Sequence, residues 1–158
     1  MTSGPTVRLE RVRDDELDDF FAMYEPYHLE LDSYDPAPGG SEPFDLERYR
    51  AAVLDDMDGR EIDWIVADGQ RAGFCMVRVL PDWPDESRVI ASIAEFYLEP
   101  GARRQGIGRS AVEALLAVHR ERGTHLVEAG ILRDNEPAQA FWRSLGFEVQ
   151  SVVTARRP

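Results

Sequence analysis

The segment from Ile93 to Glu113, IAEFYLEPGARRQGIGRSAVE, restricts the fold of this chain more than any other, because its character changes twice within one short run. Ile93 to Leu98 is rich in β-branched and aromatic residues and reads as a strand, which Pro100 and Gly101 stop. Arg103-Arg104-Gln105-Gly106-Ile107-Gly108 is a basic turn with two glycines. After it, Ile107, Ala111, Val112, Leu115, Leu116 and Val118 recur at helical spacing. A strand that runs into a glycine turn and then a helix start is an anion-binding arrangement. The first amides of a helix have no intrahelical acceptor, point the same way, and carry roughly half a positive charge from the helix dipole. Gly106 and Gly108 remove Cβ atoms that would hold a diphosphate away from those amides. Arg103, Arg104 and Arg109 add charge that pairs with phosphate oxygens. The same residues also suit an ordinary turn with solvated arginines, and the turn alone does not separate the two readings.

The phosphate ligand is narrowed by what the turn lacks. A nucleotide P-loop needs Lys and then Ser or Thr after its second glycine, whereas Gly108 is followed by Arg109. A dinucleotide fold places three glycines after the first strand of the chain, and this turn comes after residue 100 with different spacing. Arg103-x-x-Gly106-x-Gly108 instead resembles the R/Q-x-x-G-x-G/A signature of the GNAT superfamily of N-acetyltransferases. Downstream, Asn135-Glu136-Pro137-Ala138-Gln139-Ala140-Phe141-Trp142-Arg143-Ser144-Leu145-Gly146-Phe147 is similar to that family's N-x-x-A-x-x-F-Y-x-x-x-G-F segment. The two motifs stand in the family order and cover Ile93 to Phe147.

The resemblance implies an α/β (α+β) domain spanning residues 1–158, built on a mixed, twisted central sheet of about six to seven strands flanked by about four helices. It implies acetyl-CoA as cofactor, its pyrophosphate held by Arg103, Arg104, Gln105, Gly106, Ile107, Gly108, Arg109 and Ser110. The pantetheine arm would lie along Phe96, Tyr97 and Leu98, whose main-chain groups pair with it and polarise the thioester carbonyl, and would reach Asn135 and Phe141. Asn135 equally suits a helix cap, and Phe141 suits core packing. Glu95, in the strand before the turn, is where family enzymes often keep a glutamate that takes the amine proton. A carboxylate between Ala94 and Phe96 is costly to bury unpaired, so it demands a partner, water or a ligand. A structural ion pair, or an anchor for a cationic acceptor, would satisfy the same demand. Trp142 departs from the family's Tyr, whose hydroxyl can protonate the departing thiolate. An indole donates a hydrogen bond but is no acid at neutral pH. Either Trp142 stabilises the thiolate, or another group such as Tyr97 or water protonates it, or the site is inactive. Tyr27, His28, Asp32, Tyr34 and Trp83 are candidates for acceptor contacts, each with packing or a surface loop as its competing role. The activity implied is direct acetyl transfer to a primary amine of a small molecule or peptide. The rival is a non-catalytic acyl-CoA-binding regulatory module.

Composition narrows the partners. Net charge is −12, from 30 acidic and 18 basic residues, which disfavours nucleic acid and favours cationic ligands such as amines. Cys75 is the single cysteine and sits in an apolar segment, where a small buried residue is the simpler reading than a nucleophile. No run of about 18 apolar residues and no basic-then-apolar leader is present, so neither a membrane span nor secretion is expected, and a cytoplasmic location fits. His28, His119 and His125 show no metal-ligand spacing, and no metal site is expected. A homodimer is compatible with the family.

Periodicity supplies the remaining elements. Thr6 to Arg11 reads as a strand, followed by a helix with Leu17, Phe20, Phe21 and Tyr24 on its core face. Pro26 is expected to end or bend that helix, with irregular chain from Tyr27 to Gly40. A second helix is expected from Asp45, stapled by Phe44 and Tyr49. Glu61 to Ala67 and Gln70 to Leu80 read as a hairpin around Asp68-Gly69. Strands are then expected from Ser87 to Leu98, His125 to Ile131 and Phe147 to Thr154, the last closing the sheet. The connection between the first two of these is a right-handed parallel crossover.

Overall fold

The structure is a computed structural model that describes residues 4–35 and 42–158. The element order is β1 (Val7–Arg11), a short 3-10 turn (Asp14–Glu16), α1 (Leu17–Asp32), α2 (Leu46–Asp55), β2 (Arg60–Ala67), β3 (Gln70–Pro81) and β4 (Val89–Leu98). A second 3-10 turn (Pro100–Ala102) then leads to α3 (Ile107–Glu121), β5 (Leu126–Ala129) and α4 (Glu136–Ser144). One sheet of five strands runs in the order β1-β2-β3-β4-β5. The first four strands form an antiparallel meander. β5 joins β4 in parallel after the α3 crossover, as the strand-helix-strand pattern requires.

The sheet is coated on both faces. Alternation along β2 and β3 sends Ile62, Trp64, Phe74 and Met76 to one side, where they bury Phe20, Phe21, Tyr24 and Tyr27 of α1 and Val53 of α2. Cys75 and Val77 point to the other side, against Val112 and Leu115 of α3 and Trp142 of α4. Burying such side chains stabilises the fold by about 1.5–3 kcal/mol each. Cys75 is fully buried, and its thiol is held far above its ordinary pKa by that burial, so it is a packing residue.

Three expectations are corrected. The sheet has five strands where about six to seven were expected, because the segment from Phe147 to Thr154 forms no strand. Its apolar alternation breaks at Ser151, and Val149, Val152 and Val153 are 83%, 80% and 91% exposed. Pro26 does not end α1, which continues to Asp32. Proline's fixed φ is compatible with a helix and its missing N–H forfeits one bond; Tyr24 and Tyr27, buried on either side of it, offset that loss. Of the irregular stretch expected from Tyr27 to Gly40, residues 27–32 are thus helix, and its portion at 36–40 lies outside the described residues. The strands expected from Ser87 and around His125 are shorter than predicted, starting at Val89 and covering Leu126–Ala129.

Local rules account for the helix ends. Asp45 caps α2 by accepting from the Arg48 amide, and Phe44 packs on Tyr49 with ring centroids 6.1 Å apart. At the end of α4 the Phe147 amide donates to the Trp142 carbonyl and the Gly146 amide to Arg143, which is a Schellman closure.

Candidate functional site

The site is organised by an irregularity in β4. Met76 pairs with Glu95 but Val77 pairs with Ile93, so Ala94 is an extra residue, a β-bulge. Without it Ala91, Ile93, Glu95 and Tyr97 would share one face. With it Ala91 and Ile93 pack towards α3 and α4, while Tyr97 packs into the α1 and α2 layer and Glu95 meets the tyrosines of those helices. The bulge also marks where β5 leaves β4. Their last pair is Ile93 with Ala129, so residues 94–98 keep β3 on one side and have no strand partner on the other among the described residues. This stretch of the β4 edge is a notch in the sheet, of the kind an extended ligand arm pairs with.

Glu95 lies at the bottom of an aromatic cluster. The hydroxyls of Tyr24 and Tyr49 donate to its Oε1 at 3.3 and 3.4 Å, and their rings stack with centroids 4.0 Å apart. Burial raises the Glu95 carboxyl above its ordinary value of 4.5, and the hydroxyls of Tyr27, Tyr24 and Tyr49 pull it partly back. Burial and the negative charge of Glu95 push all three tyrosines well above their ordinary pKa, so each stays a neutral donor at physiological pH. Such an arrangement accepts a proton at the carboxylate and passes it through a phenol.

At the other end of the notch, Gly106 has φ +82° and caps α3. A Cβ there would meet nothing within 4 Å, so this residue is glycine for its conformation. Gly108 is glycine for packing: a Cβ would lie 3.1 Å from the Phe141 ring and 3.3 Å from Leu98. The Ser110 amide donates to the Gly106 carbonyl, the first bond of the helix. The amides of Gly106, Ile107, Gly108 and Arg109 have no backbone acceptor among the described residues. Four donors at a helix start, on a turn with open space on one side, fit the diphosphate of a coenzyme A group.

The remaining candidates divide. Phe96, Phe141 and Trp142 pack together on the α3 and α4 side, Trp142 edge-on to Phe96, Phe141 and Phe147 with centroids at 5.3, 5.1 and 4.9 Å. Trp142 is 6% exposed. Tyr97 lies on the opposite side of β4 from Trp142. Asn135 caps α4 by accepting from the Ala138 amide at 3.1 Å, and its NH2 group remains for a ligand. Gln105 donates to the Gly101 carbonyl, and Arg109 to the Ser144 carbonyl. Arg104 is exposed at the turn with φ +61°. Leu98 supplies its carbonyl to Arg103, whose guanidinium also forms two bonds to Glu30 of α1.

On the acceptor side, Tyr27 lines the Glu95 cluster. His28 stacks on Phe44 at 3.8 Å and meets Asp32 at 3.2 Å. Tyr34 lies within electrostatic reach of Arg103. Trp83 is 81% exposed and touches none of these residues among the described contacts. His119 is buried with its Nδ1 on the Thr124 hydroxyl, a structural role. The described residues hold no cluster of three or more potential metal ligands, and no described helix is long and apolar enough to cross a membrane.

Sequence reasoning assigned Tyr24 and Tyr49 to the core and overlooked Glu30. The signal was available for the tyrosines: a buried phenol needs an acceptor and a buried carboxylate needs donors, so two Tyr at core positions and Glu95 in a central strand satisfy each other.

The model of the acetyltransferase (GNAT) family matches residues 9–147. This chain belongs to the GNAT acetyltransferase family. Over 150 residues it is 27% identical to an uncharacterized N-acetyltransferase of Methanocaldococcus jannaschii, covering 94% of this chain and 63% of that protein's length. Over 108 residues it is 30% identical to an aminoglycoside N(6')-acetyltransferase of Stenotrophomonas maltophilia, covering 66% of this chain and 71% of that one. Among solved structures, an aminoglycoside N-acetyltransferase in complex with CoA superposes with a TM-score of 0.73 at 15% identity, covering 100% of this chain and 98% of the other. That last likeness is one of fold. For a GNAT chain, the acetyl donor used by the family is acetyl-CoA.

Proposed function

We propose that this GNAT chain is an acetyl-CoA-dependent N-acetyltransferase that transfers the acetyl group directly to a primary amine of a small molecule or peptide. The observation that carries the reading is the bulge in β4, which aims Glu95 at the acceptor layer at the point where the same strand presents a free edge. When bound, acetyl-CoA supplies the activated acetyl thioester. The chain's own residues do the rest. The amides of Gly106 to Arg109 hold the diphosphate, with Arg104 and Arg109 adding charge. The main chain of Phe96 to Leu98 orients the arm and donates to the developing oxyanion.

An alkylammonium with pKa near ~10 is about a thousandfold depleted in free amine at pH 7. Glu95 relieves that deficit by accepting the proton, relayed through the hydroxyl of Tyr24, Tyr27 or Tyr49, each of which gives its own proton to the carboxylate as it takes one from the amine. Trp142 is no acid at neutral pH, so the sulfur departs as a thiolate and takes its proton from water. Tyr27, His28, Asp32 and Tyr34 line the acceptor side. The acidic balance of the chain, the buried carboxylate and the likeness to an aminoglycoside acetyltransferase all favour an acceptor that is cationic before reaction.

A thiol-release assay with acetyl-CoA tests this against aminoglycosides, polyamines, amino acids and peptides with free N-termini or lysines, run beside calorimetry for acetyl-CoA alone. Turnover with one amine class is the expected result. Tight binding without turnover on any amine would overturn the enzymatic reading in favour of a cofactor-binding module.

A further inference from the structure

We propose that Arg103 is a positioning residue that braces the acceptor helix α1 against β4, and is not a ligand of the cofactor's diphosphate. The inference rests on the acetyl-transfer reading above. Three of the five guanidinium N–H groups are committed: Nη1 and Nη2 donate to Glu30 Oε1 and Oε2 at 3.0 and 2.7 Å, and Nε donates to the Leu98 carbonyl at 2.8 Å. The face of the group sits over the Tyr97 ring, 5.5 Å from its centroid. Every one of these partners lies on α1 or on β4, whereas the turn amides stand at the start of α3. A bidentate fork on a carboxylate fixes both distance and plane. Glu30 stands about one turn beyond Tyr27 on the same helix. The brace therefore sets how far the acceptor-lining face of α1 stands from the end of β4, where the thioester would be presented. A displacement on the order of 1 Å in such a gap costs about a hundredfold in rate. Both partners are half-exposed, so the pair adds little to global stability and its loss is expected to be read in function.

The test compares R103Q, R103K, E30Q and the charge-reversed double variant E30R/R103E with the wild-type chain. The expected result is that R103Q and E30Q each raise KM for the amine and lower kcat by about tenfold or more, while the dissociation constant for CoA in calorimetry changes by less than about threefold. R103K, which keeps the charge but not the fork, should resemble R103Q, and the double variant should recover part of the lost kcat/KM. The proposal is overturned if R103Q weakens CoA binding by about tenfold or more, the loss expected of a phosphate ligand, or if E30Q leaves amine KM and kcat unchanged. Should the wild-type chain bind CoA but acetylate no amine, the transfer reading fails by itself. The brace is then judged on CoA affinity and on hydrogen exchange across residues 27–32. Unchanged affinity with faster exchange in R103Q and E30Q supports it; weakened affinity, or unchanged exchange, overturns it.

Discussion

At the residue scale, Glu95 and the two glycines of the turn carry different kinds of constraint, and substitutions separate them. Burial raises the folded-state pKa of Glu95 above its ordinary 4.5. The unfolded chain therefore releases this proton first as pH rises, and from about that value upward, through the folded pKa, the group lowers stability. Glu95→Gln removes the titration and keeps an acceptor for the tyrosines. Its melting temperature should exceed that of the wild-type protein at pH 8, with the difference fading below pH ~4. Turnover at neutral pH should fall by about 10²-fold or more while CoA affinity holds. A lower melting point for this variant at pH 8 would show that the carboxylate is net stabilised where it lies. Gly106→Ala and Gly108→Ala should divide in the opposite sense. At Gly106 the new methyl meets open space but the φ of +82° disfavours it by about 1 kcal/mol, and the methyl crowds the diphosphate face, so CoA affinity should drop more than stability. At Gly108 the methyl presses on Phe141 and Leu98, and thermal denaturation should register a loss of about 1–3 kcal/mol from overpacking.

At the element scale, α1 and α2 act together on β4. Each contributes a tyrosine to the same carboxylate oxygen, and Phe20, Phe74 and Tyr97 pack behind them. The hydroxyls of Tyr24 and Tyr49 lower the Glu95 pKa, so Tyr49→Phe should raise it and move the acidic limb of the kcat/KM profile to higher pH. An unmoved limb would assign that limb to a different group. Helices were legible as elements because their apolar stripes and caps are local: Asp45, Asn135 and Gly146 act where periodicity places them. Pro26 misled for the same reason. Its helix-breaking tendency is local, but the burial of Tyr24 and Tyr27 against β3 and β4 is not, and burial won. The segment from Phe147 to Thr154 misled in reverse, since its valines suggested a strand but no partner strand receives it among the described residues.

At the scale of the whole molecule, the net charge of −12 sets a field that attracts cations from beyond contact distance. If the acceptor is a polyvalent amine, its KM should rise several-fold between about 50 and 500 mM salt as the Debye length shrinks, whereas kcat should change little; a salt-independent KM would confine recognition to short-range contacts. The sequence by itself determined the glycine turn, the helix that follows it, the hairpin at Asp68-Gly69, the parallel crossover and the family. The turn, the helix and the hairpin rest on backbone conformation or periodicity within a few residues, which side-chain identity dictates directly; the crossover follows from the order of the elements, and the family from the resemblance of two motifs. It also marked Glu95 as a residue in need of a partner. Only the tertiary structure decided which face of β4 Glu95 occupies, because one bulged residue at Ala94 reverses every side chain beyond it and leaves no periodic trace. It decided, likewise, that Tyr24 and Tyr49 supply the donors and that Arg103 meets Glu30 rather than facing the turn, since those partners lie 71, 46 and 73 residues apart along the chain and are joined by packing alone.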